Sequence, residues 1–236
     1  MKITTVLFDL DGTLLPMDQD VFINAYFGGL VRKLVPHGYD KDEVIAGIWS
    51  GTSAMIKNNG EKKNEEVFWD VFSSLLGDKA KNDIHLFNEF YANDFCRVQE
   101  SCGYNPKAAE VIALLKEKGY RVALATNPLF PSTATEQRIG WAGLHPDDFE
   151  LITTYENSSY CKPNPDYYTE VITSLGVKPE ECLMVGNDVG EDMITEAMGM
   201  KVFLLTDCII NKANKDISIY PHGDFDALLA FIKNEL

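Results

Sequence analysis

From Pro106 to the end of the chain, short apolar runs alternate with helical stripes. That alternation restricts the fold to a parallel sheet covered by helices on both faces. Residues 106–118 read as a helix with Gly119 past its end, and 120–125 as a strand leading into Thr126-Asn127-Pro128. A helix starts at Ser132, a short strand covers 149–153, and a helix covers 166–175. A strand at 182–185 ends at Gly186-Asn187-Asp188; a helix at 190–198, a strand at 201–205 and a last helix at 224–233 complete the pattern.

The first strand stands apart from this series. Residues 3–8 are apolar, rich in β-branched and aromatic side chains, and stop at Asp9-Leu10-Asp11-Gly12-Thr13. Residues 16–101 then read as almost all helix. Residues 20–35 carry Val21, Phe22, Phe27, Leu30, Val31 and Leu34 at helical spacing, with Gly28-Gly29 as a local weakness. Further helices are expected at 64–76, closed by Gly77, and at 83–98, whereas 47–60 is mixed. The economical reading is an α/β core with a helical insertion after its first strand. No internal repeat or low-complexity tract is present.

The acidic pair sits where chemistry is expected. Asp9 falls at the carboxyl end of a buried strand, the position at which open α/β sheets bind ligands. Asp11 lies two residues on, so both side chains can reach one face, and Gly12 permits the sharp turn between them. Two carboxylates held close make an oxygen site for a hard cation and can take different chemical roles.

Charge and cysteine usage narrow the setting. With 21 Lys and Arg against 36 Asp and Glu, the formal charge is −15, which argues against nucleic acid as a main partner. An anionic small substrate stays open, because a bound metal and one lysine can invert the local field. No stretch approaches a membrane span and no signal-peptide pattern precedes the first strand. Five cysteines without metal-ligand spacing read as reduced thiols, and the expected location is cytoplasmic. Cys161 reads first as a small packing residue; the alternative is that its neighbour Lys162 lowers the thiol pKa and makes activity oxidation-sensitive.

Asp9-Leu10-Asp11-Gly12-Thr13-Leu14, Thr126-Asn127, Lys162-Pro163, and Gly186-Asn187-Asp188 with Asp192 resemble the four ordered motifs of haloacid dehalogenase-like (HAD) hydrolases. The helical block resembles the α-helical cap inserted after the first strand in the phosphoglycolate phosphatase-like subfamily. The resemblance implies a Rossmann-like parallel-sheet core at residues 1–15 and 102–236, and an α-helical cap at 16–101. It implies Asp9 as nucleophile, giving an acyl phosphate, and Asp11 as the acid that protonates the leaving oxygen and then the base for water. Thr126 and Asn127 would donate hydrogen bonds to the phosphoryl oxygens, and Lys162 would neutralise charge on the phosphoryl group and Asp9. The Mg²⁺ ligands it implies are Asp9, the backbone carbonyl of Asp11, and Asp188, with waters completing the shell. Asp192 would orient a metal-bound water or Lys162; Glu191 competes for that place, because the extra Asn187 shifts the motif's register.

The expected activity is a Mg²⁺-dependent phosphatase acting on a small phosphorylated metabolite, in a monomer or weak homodimer. A phosphosugar mutase on the same core is an alternative within the family, and a non-catalytic binding protein with the same fold is one outside it. Dehalogenase and phosphonatase activities are disfavoured by the presence of Asp11. Lys57, Asn58, Asn59, Asn64 and Arg97 are polar candidates on the cap, which is expected to be mobile. Trp49, Trp69 and Trp141 read as packing residues, and the four histidines show no ligand spacing.

Overall fold

A computed structural model describes residues 2–236. Five parallel strands form one sheet: β1 (Thr5–Phe8), β2 (Arg121–Leu124), β3 (Cys182–Gly186), β4 (Lys201–Leu205) and β5 (His222–Gly223). Their spatial order is β2-β1-β3-β4-β5. Every residue of β1 and β3 is buried, which is why both read as continuous apolar runs rather than alternating ones. Successive side chains still part company. Leu7, Met184 and Leu204 join one apolar cluster, and Val6, Phe8, Val185 and Phe203 join the other on the opposite face.

Helices α1 (Gln19–Leu34), α2 (Lys41–Ile56), α3 (Asn64–Leu76), α4 (Asp78–Asn82) and α5 (Ile84–Glu89) follow β1 before the chain returns to the sheet. The two connections to this block pair with each other: Met17 bridges Cys102 antiparallel, and the Gly103 amide donates to the Pro16 carbonyl at 2.7 Å. Helix α6 (Lys107–Glu117) leads into β2, and α7 (Ser132–Trp141), α8 (Pro165–Leu175) and α9 (Phe225–Glu235) cover the sheet and its edge. Tyr167, Tyr168 and Val171 of α8 fill the first cluster; α6 and α9 contribute Val111, Leu115, Leu228 and Ile232 to the second.

That second cluster continues without a break into the helical block. Phe22 of α1 meets Phe130 edge-on at 6.0 Å, and Phe95 stacks on Trp141 at 5.1 Å. The amides of Asn64 and Glu65 at the start of α3 donate to the carbonyls of Ser158 and Tyr155.

Several elements depart from expectation. The mixed stretch 47–60 is helical to Ile56, because Gly47 and Gly51 sit where α3 crosses: a Cβ on Gly51 would come within 2.5 Å of the Phe68 ring. The expected helix at 83–98 changes pitch, with a π-helical turn at Phe90–Asp94 and a 3₁₀ stretch at Phe95–Ser101. Phe90 and Phe95 are five residues apart and both fully buried, a spacing that the wider turn brings to one face. The strand expected at 149–153 reduces to a single bridge between Ile152 and Leu124. Beyond it, Asn157 donates to the Ile152 carbonyl and accepts from the Thr154 amide, which turns the chain away. The helix expected at 190–198 is a 3₁₀ stretch over Met193–Met198, and the two-residue β5 was not anticipated.

Candidate active site

Strand β1 lies between β2 and β3, and the chain passes from β1 to β2 on one side but from β3 to β4 on the other, so the connections after these two adjacent strands run in opposite directions. Such a switch point opens a crevice. Phe8 aligns with Leu124 on one side and Val185 on the other, so the loops after all three strands start at one level. The crevice is a cleft of about 450 Å³ lined by Asp9, Asp11, Thr126, Asn127, Asp188 and Asp192, among others.

Asp9 is nearly buried and held from several sides. Its amide donates to the Val185 carbonyl at 3.0 Å, the Thr13 hydroxyl lies 3.1 Å from its Oδ2, and Lys162 Nζ lies 2.8 Å from its Oδ1. The Lys162 ammonium, itself 1% exposed, also reaches Asp192 Oδ1 at 2.7 Å. Burial opposes that charge, but Asp192 and Asp9 outweigh it and hold Lys162 well above its ordinary pKa. Asp192 is fully buried, and its Oδ2 accepts the Asp188 amide at 3.0 Å. Desolvation raises its pKa, which Lys162 opposes.

Gly12 meets two constraints. Its φ is +82°, and a Cβ there would lie 2.3 Å from Asn187 Nδ2. Asn187 in turn accepts from the Thr13 hydroxyl at 3.1 Å and donates to the Cys208 carbonyl at 2.6 Å. It ties the first motif loop to the loops after β3 and β4, a part the sequence did not assign to it. Asn127 joins two further loops, accepting from the Lys162 amide at 3.3 Å and donating to Glu191 at 3.2 Å. Glu191 therefore lines the cleft, while Asp192 is the acid beneath it that contacts Lys162.

Asp11 occupies a different environment. Its Oδ2 is paired with Arg138, a fully buried arginine of α7. The guanidinium lies 4.5 Å from the Phe130 ring centre and donates to Thr135 at 3.2 Å. Burial raises the Asp11 pKa, Arg138 opposes the rise, and the Asp9 charge adds to it. Oδ1 of Asp11 is buried with no hydrogen-bond partner among the described residues. Sequence reading missed Arg138; its one visible sign is that Ala134, Trp141 and Ala142 fall on its side of a helix, at four before and three and four after.

Asp9, Asp11 and Asp188 line one cleft and offer oxygen donors only, the chemistry that suits Mg²⁺, and the buried Asp11 Oδ1 has no partner among the described residues. Asp188 Oδ1 is fixed by the Gly190 and Glu191 amides. Among the described residues no group of three or more His, Cys, Asp or Glu side chains is arranged to hold a metal ion by itself.

Other expectations are corrected. Cys161 is buried in the core, as its packing reading expects, and desolvation pushes its thiol up to about 12, against the alternative of a lowering by Lys162, whose ammonium is committed to Asp9 and Asp192. None of Lys57, Asn58, Asn59, Asn64 and Arg97 lines the cleft. Asn58 and Asn64 are buried, bonded to each other at 2.9 Å, and Asn64 also reaches the Tyr160 carbonyl at 3.2 Å. Trp49, expected as packing, is half exposed and lines the cleft. No helix among the described residues is long and apolar enough to cross a membrane.

The family model of haloacid dehalogenase-like hydrolases matches residues 3–195. Pyrophosphatase PpaX of Bacillus cereus (strain AH820) is 27% identical over 188 residues, covering 80% of this chain and 76% of that protein. The crystal structure of a HAD phosphatase from Thermococcus onnurineus superposes with a TM-score of 0.58 at 20% identity, over 98% of this chain and 96% of that one. The HAD-hydrolase YfnB of Bacillus subtilis, solved bound to magnesium, gives 0.55 at 17% identity, over 98% and 99%.

Proposed function

This chain belongs to the haloacid dehalogenase-like hydrolases, and from that premise we propose that it is a Mg²⁺-dependent phosphatase of small phosphomonoesters. The carrying observation is the contrast between its two cleft carboxylates. Asp9 is ion-paired with the buried Lys162 ammonium at 2.8 Å, whereas Asp11 faces Arg138 instead and burial raises its pKa. Divided environments divide roles: one nucleophile, one acid.

An Asp9 carboxylate oxygen attacks phosphorus while the bond from phosphorus to the leaving oxygen breaks, and Asp11 gives that oxygen its proton. Water then attacks the phosphorus of the aspartyl phosphate, Asp11 takes a proton from it, and the Asp9 carboxylate is restored. Lys162 offsets negative charge at Asp9 throughout, and Asp192 positions Lys162. The Thr126 hydroxyl and the Asn127 amide supply donors at the end of β2. Mg²⁺ bound by Asp9, the Asp11 carbonyl and Asp188 would supply positive charge against the phosphoryl oxygens.

Residues 16–101 serve as the cap over this site, and residues 1–15 and 102–236 as the catalytic core. The relative named a pyrophosphatase and the magnesium-bound fold neighbour support phosphoryl chemistry and the metal. The test is phosphate release from a panel of phosphomonoesters with Mg²⁺, then with excess chelator. Release that stops on chelation is expected. Undiminished release in chelator, or an isomerised ester with no free phosphate, would overturn the reading.

A further inference from the structure

The cleft has two unlike sides. Its core side carries the carboxylates described above. Its cap side includes Gln19, Asp20, Ile23, Trp49, Thr52 and Ile56, and no lysine or arginine of the 16–101 block lines it. Among the described residues the one cation in the cleft wall is Lys212, on the core side, two residues past Ile210, whose backbone hydrogen-bonds Asn187 and Val189. A second anionic group on a substrate would meet Asp20 and no countercharge at the cap.

Apolar surface takes the place of charge. Trp49 and Ile56 are 49% and 44% exposed although they face a cavity. Ile23, Trp49, Thr52, Leu129 and Phe130 also border a side cavity of about 110 Å³. Its remaining wall is mostly aromatic, with Phe68, Trp69 and Phe87 among its rings. Tyr26 and Tyr91 close it with their hydroxyls bonded to each other at 2.8 Å, and burial holds both phenols neutral. The cavity therefore offers no charge and few free hydrogen-bonding groups. A cavity of about 150 Å³ with apolar walls encloses benzene, so this one takes a short branched alkyl group or the edge of a ring.

We infer that the leaving group of the substrate is uncharged and apolar, an aryl-bearing or branched-alkyl alcohol seated against Trp49 and reaching into the side cavity. The inference rests on the phosphatase reading above. It separates this chain from enzymes acting on phosphates with a second anionic group, such as a carboxylate or a further phosphate. The specificity-determining positions are Trp49, Thr52 and Ile23, none of which touches the reacting phosphorus.

The test compares kcat/KM for 2-phenylethyl phosphate with glycerol phosphate, phosphoglycolate and inorganic pyrophosphate, in Mg²⁺. The first two have alcohol leaving groups of similar reactivity, so their ratio reports recognition. An advantage of about 10- to 100-fold for 2-phenylethyl phosphate is expected from burying its ring. Trp49→Ala should shrink that ratio several-fold, with folding checked by circular dichroism. Thr52→Lys, at a partly exposed position, should raise phosphoglycolate turnover relative to 2-phenylethyl phosphate. Preference for glycerol phosphate, phosphoglycolate or pyrophosphate, or an unchanged ratio in folded Trp49→Ala, would overturn the inference and leave the phosphatase reading standing. No turnover of any ester would remove both.

Discussion

Replacing Arg138 by methionine isolates the link between a buried cation and the proposed acid. Methionine keeps much of the side chain's length and apolar volume but removes the charge. Arg138 lowers the Asp11 pKa against the rise caused by burial and by Asp9. A cation beside an aspartate is worth about 1–3 pKa units, and each unit corresponds to about 1.4 kcal/mol. The Asp11 side chain is 23% exposed at the cleft, so the lower end, about 1.5–3 kcal/mol, is the reasonable expectation. The sign follows from linkage. Asp11 has a folded pKa raised above its ordinary 3.8, so it costs no stability below that value, and the cost grows as pH rises towards the folded pKa. Arg138→Met raises the folded pKa further and extends the window upward. Its stability deficit against the parent should therefore widen with rising pH and then level off. A pH-independent loss of about 0.5–2 kcal/mol from the Arg138–Phe130 contact adds to it. Urea unfolding in chelator from pH 4 to 8 reads both parts, and the basic limb of the kcat profile in Mg²⁺ should move to higher pH. A deficit that is flat across pH, with an unmoved basic limb, would refute the coupling.

Further outcomes follow from the same geometry. Asp9→Asn should lose kcat by roughly 10⁴-fold or more while its unfolding midpoint stays close to the parent's, since Lys162 keeps Asp192 at 2.7 Å; near-normal kcat in the folded variant would exclude Asp9 as nucleophile. Gly12→Ala should cost at least about 1–2 kcal/mol by chemical unfolding, because the left-handed backbone and the approach of Asn187 both oppose a Cβ; unchanged stability would show that the loop yields freely. Cys161→Ala should leave the rate of peroxide inactivation as it is, because a buried thiol raised to about 12 is not a thiolate at neutral pH; marked protection would contradict that environment.

The architecture was legible where one residue pattern had one physical solution. Strands buried on both faces read as apolar runs, and the positions at their carboxyl ends, Asp9, Thr126 and Asp188, meet in one cleft because the sheet is parallel and in register. Asn64–Leu76 was read at both ends, from its aromatic stripe and Gly77. The stretch 47–60 was legible only as mixed, because a glycine that breaks an isolated helix and one that admits a crossing helix are the same letter; at Gly47 and Gly51 the Phe72 and Phe68 rings opposite decide. Asn58 and Asn64 looked like substrate contacts because buried and exposed amides are indistinguishable in sequence. Arg138 was invisible for a similar reason: its partner, Asp11, lies 127 residues away. The cap side of the cleft was sought among polar residues, whereas its character comes from Trp49, Ile23 and Ile56, which share the sequence pattern of core.

The central claim is a covalent bond from Asp9 to phosphorus, and borohydride trapping tests it most directly. An acyl phosphate is reduced where a free carboxylate is not. The protein is mixed with a saturating phosphomonoester and Mg²⁺, quenched during turnover, reduced, digested and sequenced by mass spectrometry. Homoserine at position 9, dependent on substrate and absent without it, is the predicted result. Phosphate release with Asp9 unmodified, or a phosphoryl group on another residue, would contradict it.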